Sequence, residues 1–163
     1  MNVVYVETDR CIACLNCVRA CVLQHAYADD DSSANISVVV DFDTRRIVTV
    51  TCAQCDDAPC MQACPAKALH RDALTDVVVV DRSRCVGCGL CMAACPNASL
   101  HLDQTHRTAT KCDLCGGTPK CVQVCMAQAL HFGDTHQIAE LRRRNRDLRI
   151  ALRAVLRDGE ASE

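Results

Sequence analysis

Short runs of β-branched residues, separated by polar turns, predict a series of short strands along most of the chain. Two central runs flank a polar turn at 43–46 and predict a β-hairpin, and a second hairpin is predicted closer to the C-terminal end. The segment Ala66–His70 predicts a short helix or turn, and residues 28–33 predict an exposed loop. The predicted strands are Val3–Val6, Ile36–Asp41, Ile47–Thr51, Val77–Val80, Ser99–Leu102 and Arg107–Lys111.

The C-terminal stretch has a helical pattern instead. From Thr135 to Asp158 a seam recurs at alternating four- and three-residue spacing, apolar except for Asn145. Asp134 suits the N-cap with Gln137 in the capping-box position, and Gly159 suits the position after the helix. At 1.5 Å per residue this helix is about 36 Å long, too long to lie wholly on a small module. Its candidate partner-binding residues form one apolar seam: Leu141, Leu148, Leu152 and Val155. We favour docking on another subunit over packing on its own body or binding to a membrane surface.

The composition does not support an ordinary aromatic-rich core. The 163 residues include two Phe, two Tyr and no Trp, whereas sixteen are cysteine. A secreted disulfide-bonded domain is an alternative, but the start of the chain lacks the basic and apolar regions of a signal peptide. No apolar run approaches the roughly 20 residues that span a bilayer. We therefore expect a soluble, cytoplasmic protein whose cysteines bind metal and fill interior volume.

The cysteines fall into four quartets: Cys11, Cys14, Cys17 and Cys21; Cys52, Cys55, Cys60 and Cys64; Cys85, Cys88, Cys91 and Cys95; and Cys112, Cys115, Cys121 and Cys125. The third quartet has the spacing C-x2-C-x2-C-x3-C-P, which is typical of bacterial [4Fe–4S] sites in which the fourth cysteine serves a neighbouring cluster. Gly87 and Gly89 permit positive φ and leave room beside the cluster, and Pro96 fixes the backbone after the last ligand. Four such quartets predict four [4Fe–4S] clusters.

Zinc is the main alternative metal, because C-x2-C pairs also build tetrahedral zinc sites. Within each quartet, however, the later cysteines are too close together to form the second separate pair that such a site needs. A thioredoxin-like role is less favoured still, since no C-x2-C motif stands alone.

The chain also repeats itself. The strand Val77–Val80 and the basic lead-in to Cys85 match Val3–Val6 and the lead-in to Cys11. Each half contains a strand, a compact quartet, a hairpin and a looser quartet, which indicates an internal duplication.

Several other polar residues recur near the quartets. His70, His101 and His131 each follow the last cysteine of a quartet by six residues. We interpret them as one ancestral strand position that faces solvent, in preference to a role in tuning cluster potential. Lys67 and Lys111 flank cluster loops, and we expect them to be solvated rather than to stabilise reduced clusters.

The remaining sequence indicates an electron carrier rather than an enzyme. It contains no glycine-rich nucleotide motif and no nucleophile–base constellation. Clusters alone move single electrons, so a partner has to perform the two-electron chemistry. The formal charge of −2 would reach about −10 with four oxidised clusters, which gives no reason to expect nucleic acid binding.

Over residues 3 to about 132 the four motifs resemble those of the four-cluster ferredoxin-like electron-transfer subunits of the DMSO reductase and formate hydrogenlyase type. The stretch from Thr51 to Pro65 is similar to that family's second motif, and the stretch from Lys111 to Cys121 is similar to its fourth. Val22 and Met126 depart from the pattern, since proline follows the other two quartets. A different loop geometry is therefore expected after the first and fourth quartets.

The resemblance implies that each cluster takes three cysteines from one quartet and one from another. The implied ligand sets, each named by its first cysteine, are the Cys11 set (Cys11, Cys14, Cys17, Cys125), the Cys112 set (Cys112, Cys115, Cys121, Cys21), the Cys52 set (Cys52, Cys55, Cys60, Cys95) and the Cys85 set (Cys85, Cys88, Cys91, Cys64). The implied fold is α+β, with two bacterial two-cluster ferredoxin modules related by pseudo-twofold symmetry. Residues 1–26 and 104–132 would form one module and 27–103 the other, with 133–163 as a docking helix and tail.

The resemblance also implies a non-catalytic electron-transfer subunit of a soluble multi-subunit oxidoreductase. The expected partner carries a tungsten or molybdenum pterin cofactor. An aldehyde oxidoreductase is placed slightly ahead of a formate dehydrogenase, because the chain is small and has a cation-rich tail. A flavin subunit and further copies of the chain, joined into filaments through the C-terminal helix, are additional candidate partners. The alternatives are a free ferredoxin shuttle and the electron-transfer subunit of a hydrogenase complex.

Overall fold

Four two-stranded antiparallel sheets carry the fold in the parts of the chain that the structure describes. The structure is a computed structural model, and it describes residues 2–25, 34–103, 105–140 and 143. The strands are β1 (Asn2–Val6), β2 (Ser37–Asp41), β3 (Arg46–Val50), β4 (Leu69–Arg71), β5 (Val78–Val80), β6 (His101–Leu102), β7 (Ala109–Thr110) and β8 (Leu130–Asp134). β1 pairs with β8, β2 with β3, β4 with β5, and β6 with β7.

Each quartet places its third cysteine in a short helix. The helices are α1 (Asn16–His25), α2 (Pro59–Gln62), α3 (Leu90–Ala93) and α4 (Lys120–Gln123), and two 3₁₀ turns cover Thr8–Arg10 and Leu114–Gly117. α2, α3 and α4 are four residues long, whereas α1 has ten residues and also contains the fourth cysteine of its quartet, Cys21. The fold of the described residues is thus a mixture of short helices and short strands.

The packing divides the described residues into two groups. β1 contacts β8 and α1 contacts α4, whereas α2 contacts α3 and β4. One apolar cluster contains Val4, Val18, Ile36, Leu114 and Leu130 together with Cys17 and Cys21, and the other contains Ala58, Leu69, Val78 and Leu100 together with Cys60 and Cys91. Cysteines therefore occupy core positions, as the composition predicts.

An aspartate closes each of the local hairpins β2–β3, β4–β5 and β6–β7. The Oδ1 atoms of Asp41, Asp72 and Asp103 accept hydrogen bonds from the backbone N–H groups two and three residues later. Such Asx turns fix the chain reversal locally.

The six predicted strands are confirmed, although β6 and β7 are shorter than expected. The expectation of a short helix or turn over Ala66–His70 is wrong in its last two residues, which belong to β4. Leu69 lies opposite Val80 across that sheet. β8 is missing from the list of predicted strands, although the position shared by His70, His101 and His131 was expected to lie on a strand. β8 pairs with β1 at the opposite end of the chain, where Val4 lies opposite Phe132.

The predicted start of the C-terminal helix is confirmed. Residues 135–140 are helical, and Asp134 Oδ1 accepts hydrogen bonds from the backbone N of His136 at 2.8 Å and of Gln137 at 2.9 Å. In return, the Gln137 side chain accepts one from Asp134 N at 3.3 Å, which completes the capping box. Ile138 is 7% exposed and lines a groove with Val4, so this first turn packs on its own body. Leu141, Leu148, Leu152, Val155 and Gly159 lie outside the described residues.

Candidate metal centre

The first half of every quartet has the same strained backbone. The residue before the second cysteine has a positive φ in all four cases: Ala13 at 54°, Gln54 at 48°, Gly87 at 68° and Leu114 at 57°. Side chains with a Cβ rarely adopt this conformation, which persists at ligand clamps where the surroundings enforce it. The four loops are therefore built alike, whether or not glycine is present.

Gly87 also answers a steric requirement. A Cβ at this position would lie 2.3 Å from the carbonyl oxygen of Arg107, whereas no protein atom lies within 4 Å of a Cβ built on Gly89. The expectation that both glycines permit positive φ is confirmed. Gly87 therefore leaves room for the backbone of Arg107, just before β7.

The fourth cysteines of the last three quartets share a sulfur-centred turn. The backbone N–H four residues later donates to each sulfur, from Ala68 to Cys64 at 3.3 Å, from Ser99 to Cys95 at 3.5 Å and from Ala129 to Cys125 at 3.2 Å. The residue three positions after each cysteine has a positive φ: Lys67, Ala98 and Gln128. Met126 therefore stands in the same turn as the two prolines, and the expected change of loop geometry at this position is wrong.

The first quartet differs, as expected from Val22. Cys21 lies inside α1, where the backbone N–H groups that follow it serve the helix. Its sulfur accepts instead from the backbone N of Asn35 at 3.3 Å.

Three cavities are each lined by four cysteines. The first is lined by Cys11, Cys14, Cys17 and Cys125; the second by Cys52, Cys55, Cys60 and Cys95; and the third by Cys64, Cys85, Cys88 and Cys91. In each case three cysteines come from one quartet and the fourth comes from another. These groups coincide with the Cys11, Cys52 and Cys85 sets.

The remaining four cysteines are also neighbours. Cys21, Cys112 and Cys121 belong to one apolar cluster. Burial, together with the charges of Cys21 and Cys115, raises the pKa of Cys121 to about 12. Electrostatic coupling between Cys21 and Cys115 likewise adds to the burial that raises the pKa of Cys21 to about 11. The structure thus brings the members of the Cys112 set together.

The thiols fall into two electrostatic classes. Burial raises the pKa of Cys17 to about 11 and also raises that of Cys112, so these groups ionise readily only when a metal compensates the charge. Burial also opposes ionisation of Cys64 and Cys95, but the hydrogen bonds that their sulfurs accept outweigh it and lower the pKa of both thiols. N–H donors to sulfur are one of the features that set iron–sulfur potentials.

These residues fit [4Fe–4S] clusters. All sixteen cysteines, each within the described residues, are free thiols in this structure. Four thiolates around one cavity are the usual ligands of such a cluster. A zinc ion is also compatible with four thiolates, but one remote cysteine in each set matches the shared fourth ligand of two-cluster ferredoxins.

The structure places the other candidate residues unequally. His70, His101 and His131 all lie on strands, as predicted; His70 is exposed, whereas the other two are half-buried. His131 Nε2 lies 3.4 Å from Glu7 Oε1. Lys67 is exposed, as expected, but the expectation for Lys111 is wrong, since only 5% of that residue is exposed.

One contact near the sulfurs was missed from the sequence. His25 Nε2 lies 3.9 Å from Cys115 Sγ and 3.5 Å from Asp113 Oδ1. His25 and Cys115 are far apart along the chain, and no spacing pattern connects them. His25 ends α1, which packs against α4, and Cys115 lies in the turn that precedes α4.

Comparison with known families decides the class of the site. Residues 44–135, more than half of the chain, match the 4Fe-4S dicluster domain. The chain belongs to the 4Fe-4S dicluster domain family. This membership makes it an iron–sulfur protein, and the family match contains the second, third and fourth quartets complete.

Two relatives of this dicluster protein are named as oxidoreductase or reductase subunits, one as polyferredoxin-like and the other as an electron transfer subunit. The polyferredoxin-like subunit of aliphatic sulfonate oxidoreductase from Pyrococcus furiosus is 38% identical over 116 residues, covering 71% of this chain and 66% of the relative. The thiosulfate reductase electron transfer subunit from Salmonella typhi is 34% identical over 118 residues, covering 69% and 61%. The chain therefore spans less than two thirds of the length of either relative.

Among solved structures, the active site complex BamBC of benzoyl coenzyme A reductase gives a TM-score of 0.47 at 22% identity and covers 87% of both chains. No helix among the described residues of this dicluster protein has the length and apolar character needed to cross a membrane.

Proposed function

We propose that the chain is an electron-transfer subunit that holds four [4Fe–4S] clusters, one in each of the Cys11, Cys52, Cys85 and Cys112 sets. The observation that carries this proposal is the composition of the three cavities, each of which combines three cysteines of one quartet with one cysteine from far along the chain. A bound [4Fe–4S] cluster supplies reversible one-electron transfer. The chain's own contribution is to position the thiolates, supply N–H donors to sulfur and exclude water.

The proposed clusters belong to two ferredoxin units. Pairing of β1 with β8 and packing of α1 on α4 support one unit built from the first and fourth quartets. Packing of α2 on α3, with the second apolar cluster around Cys60 and Cys91, supports another built from the second and third quartets. Two such units would match the duplication that the repeat in the sequence predicts.

The partner proposed for this chain is the catalytic subunit of a multi-subunit oxidoreductase. Both relatives described above are named as subunits of such enzymes, and clusters alone do not perform two-electron substrate chemistry. The resemblance of the motifs to the DMSO reductase type favours a tungsten or molybdenum pterin enzyme. The direction of electron flow then depends on the partner and its substrate.

The test is an assay of iron and acid-labile sulfide in anaerobically purified protein. About sixteen irons and about sixteen acid-labile sulfides are expected, four of each per cluster. Iron near half that value, or stoichiometric zinc, would contradict the proposal.

Ligand sharing is tested with Cys64→Ser and the matched variant Cys60→Ser. Because Cys64 lines the cavity of the Cys85 set, the first variant should perturb that cluster and leave the Cys52 set intact, and the second should do the reverse. Paramagnetic resonance spectra of the reduced variants distinguish the two. The opposite assignment would mean that each quartet binds its own cluster.

A further inference from the structure

Lys111 is a buried cation within the group of cysteines. Lysine is almost never fully buried unless it is paired, yet Lys111 is 5% exposed. Its Nζ donates to the carbonyl oxygen of Val78 at 2.6 Å, to that of Cys112 at 2.9 Å and to Gln54 Oε1 at 3.2 Å. An ammonium group has three N–H donors and a neutral amine has two, so three acceptors select the charged form.

The three oxygens hold the ammonium without neutralising it. Carbonyl and amide oxygens are uncharged, and a buried charge is costly unless an opposite charge compensates it. The anionic groups next to Lys111 are cysteine sulfurs once these are ionised. Burial raises the pKa of Cys60, and the charge of Lys111 opposes that rise.

The position of Lys111 joins two different cysteine sets. Its side chain lines the cavity of the Cys52 set, while its backbone immediately precedes the first member of the Cys112 set. Gln54, which is 1% exposed, lies between Cys52 and Cys55 and donates its Nε2 to the carbonyl oxygen of Cys112 at 2.8 Å. Lys111, Gln54 and the Cys112 carbonyl therefore form one buried network between the two ferredoxin units.

We propose that Lys111 is the shared counter-charge of the Cys52 and Cys112 sets and keeps both easier to reduce than they would be without it. The proposal rests on the four-cluster function proposed above. One-electron reduction adds one negative charge to a cluster site, and a fixed cation in a low-dielectric interior stabilises that added charge. Because the same cation lies next to both sets, it stabilises the reduced cluster in the Cys52 set and in the Cys112 set alike. Lys111 is thus a positioning charge for electron passage and not a ligand.

The test is the reduction potential of the clusters in the full-length, cluster-loaded protein with Lys111→Met, measured by potentiometric titration with paramagnetic resonance detection. Methionine has a similar length and no charge. We expect the equilibrium constant for reduction to fall about tenfold, a shift of about 59 mV, at two of the four clusters and to stay unchanged at the other two. Lys67→Met is the matched control, because Lys67 also flanks a cluster loop but is exposed; it should leave all four potentials unchanged.

The outcomes separate this proposal from the function on which it rests. Wild-type protein with far fewer than about sixteen irons would defeat the four-cluster function itself. An iron-replete Lys111→Met protein with unchanged potentials, or with all four shifted equally, would overturn only the role of Lys111. If Lys111→Met loses iron, the Lys111→Arg variant, which keeps the positive charge, distinguishes a role of the charge from a role in packing. Full iron and wild-type potentials in the arginine variant show that the charge is needed, and any other result makes Lys111 a packing residue and overturns the proposal.

Discussion

Replacing Gly87 with alanine should damage the Cys85 set through a steric conflict with the backbone before β7. Gly87 has a φ of 68°, and an added Cβ would lie 2.3 Å from the carbonyl oxygen of Arg107, where real Cβ contacts are essentially never under 3.0 Å. Either the Arg107 backbone or the loop that holds Cys85 and Cys88 has to move. Ala109 N donates to Cys85 Sγ at 3.3 Å, so movement on either side disturbs the same ligand.

The magnitude has two parts that the chain itself separates. Positive φ costs a residue with a Cβ about 1 kcal/mol relative to glycine. The first quartet tolerates that cost, because Ala13 occupies the equivalent position with a φ of 54°. The overlap with Arg107 adds about 1–3 kcal/mol, as overpacking does in well-packed interiors. Gly87→Ala should therefore cost about 2–4 kcal/mol in total.

The matched control is Gly116→Ala. Gly116 has a similar φ of 64°, but no protein atom lies within 4 Å of its added Cβ, so only the conformational cost remains. The assay is the rate at which visible cluster absorbance disappears in denaturant under anaerobic conditions. A difference of about 1–3 kcal/mol predicts that Gly87→Ala loses absorbance about 5- to 150-fold faster than the control. Equal rates for the two variants would refute the steric argument.

Two further predictions concern the C-terminal segment and one hairpin. A chain that ends after Glu140 keeps every cysteine and all of β8, whereas an end at Phe132 would remove residues that pair with β1. The chain that ends after Glu140 should keep its iron but lose partner binding or self-association, as measured by light scattering. Undiminished assembly would contradict the docking role of residues 141–163. Asp103→Asn should accelerate cluster loss, because Asp103 Oδ2 lies 2.7 Å from His106 Nδ1. Burial opposes ionisation of Asp103, but the hydrogen bonds from His106 and Thr105 outweigh it and lower the pKa of the carboxyl group. Because the folded-state pKa is lowered, this stabilisation is complete above the ordinary pKa of about 3.9 and is lost as pH falls through the folded-state pKa. The ratio of the cluster-loss rates of Asp103→Asn and wild-type protein should therefore be the same at about pH 7.5 and about pH 9. A ratio that changes between these pH values would contradict the stabilising role of the ionised Asp103.

The strands could be predicted from the sequence where both partners are local. β2 and β3 are alternating β-branched runs on either side of a polar turn, and each run supplies the other's partner. β4 could not be predicted in the same way, because Leu69 and His70 form a strand only when β5 comes to pair with them. Strand preference depends on such neighbours more than on the residues themselves.

For the cysteine sites, too, local features could be predicted from the sequence and contacts between distant residues could not. Spacing alone indicates iron–sulfur quartets, because each loop has to wrap three thiolates around one cluster. The loop geometry after Cys125 was expected to change without proline, yet the turn depends on a hydrogen bond to sulfur that Met126 does not disturb. The contact of Lys111 with Gln54, across 57 residues of chain, leaves no local pattern at all. Burial of this charged side chain can be recognised only once the folded structure brings Lys111 and Gln54 together.

In the proposed arrangement, the two longer loops lie at the junction of the two ferredoxin units. The second and fourth quartets have four and five residues before their third cysteine, whereas the other two have two. Both longer loops approach a short helix through a proline, Pro59 at the start of α2 and Pro119 before α4. The same two loops belong to the sets that share Lys111. The compact loops instead expose an apolar side chain at one equivalent position, Ile12 at 62% and Val86 at 72%.

This contrast between the loops indicates which clusters of the proposed electron path lie nearest to partner proteins. A single exposed apolar residue is ordinary, but Ile12 and Val86 stand directly after the first cysteine of the Cys11 and Cys85 sets. Cys88, next to Val86 in the same loop, is the one exposed cysteine of the sixteen, all of which lie in described parts of the chain. Apolar side chains at the centre of a contact exclude water when a partner docks. The longer loops therefore suit passage between the units, and the compact loops suit exchange with the proteins on either side.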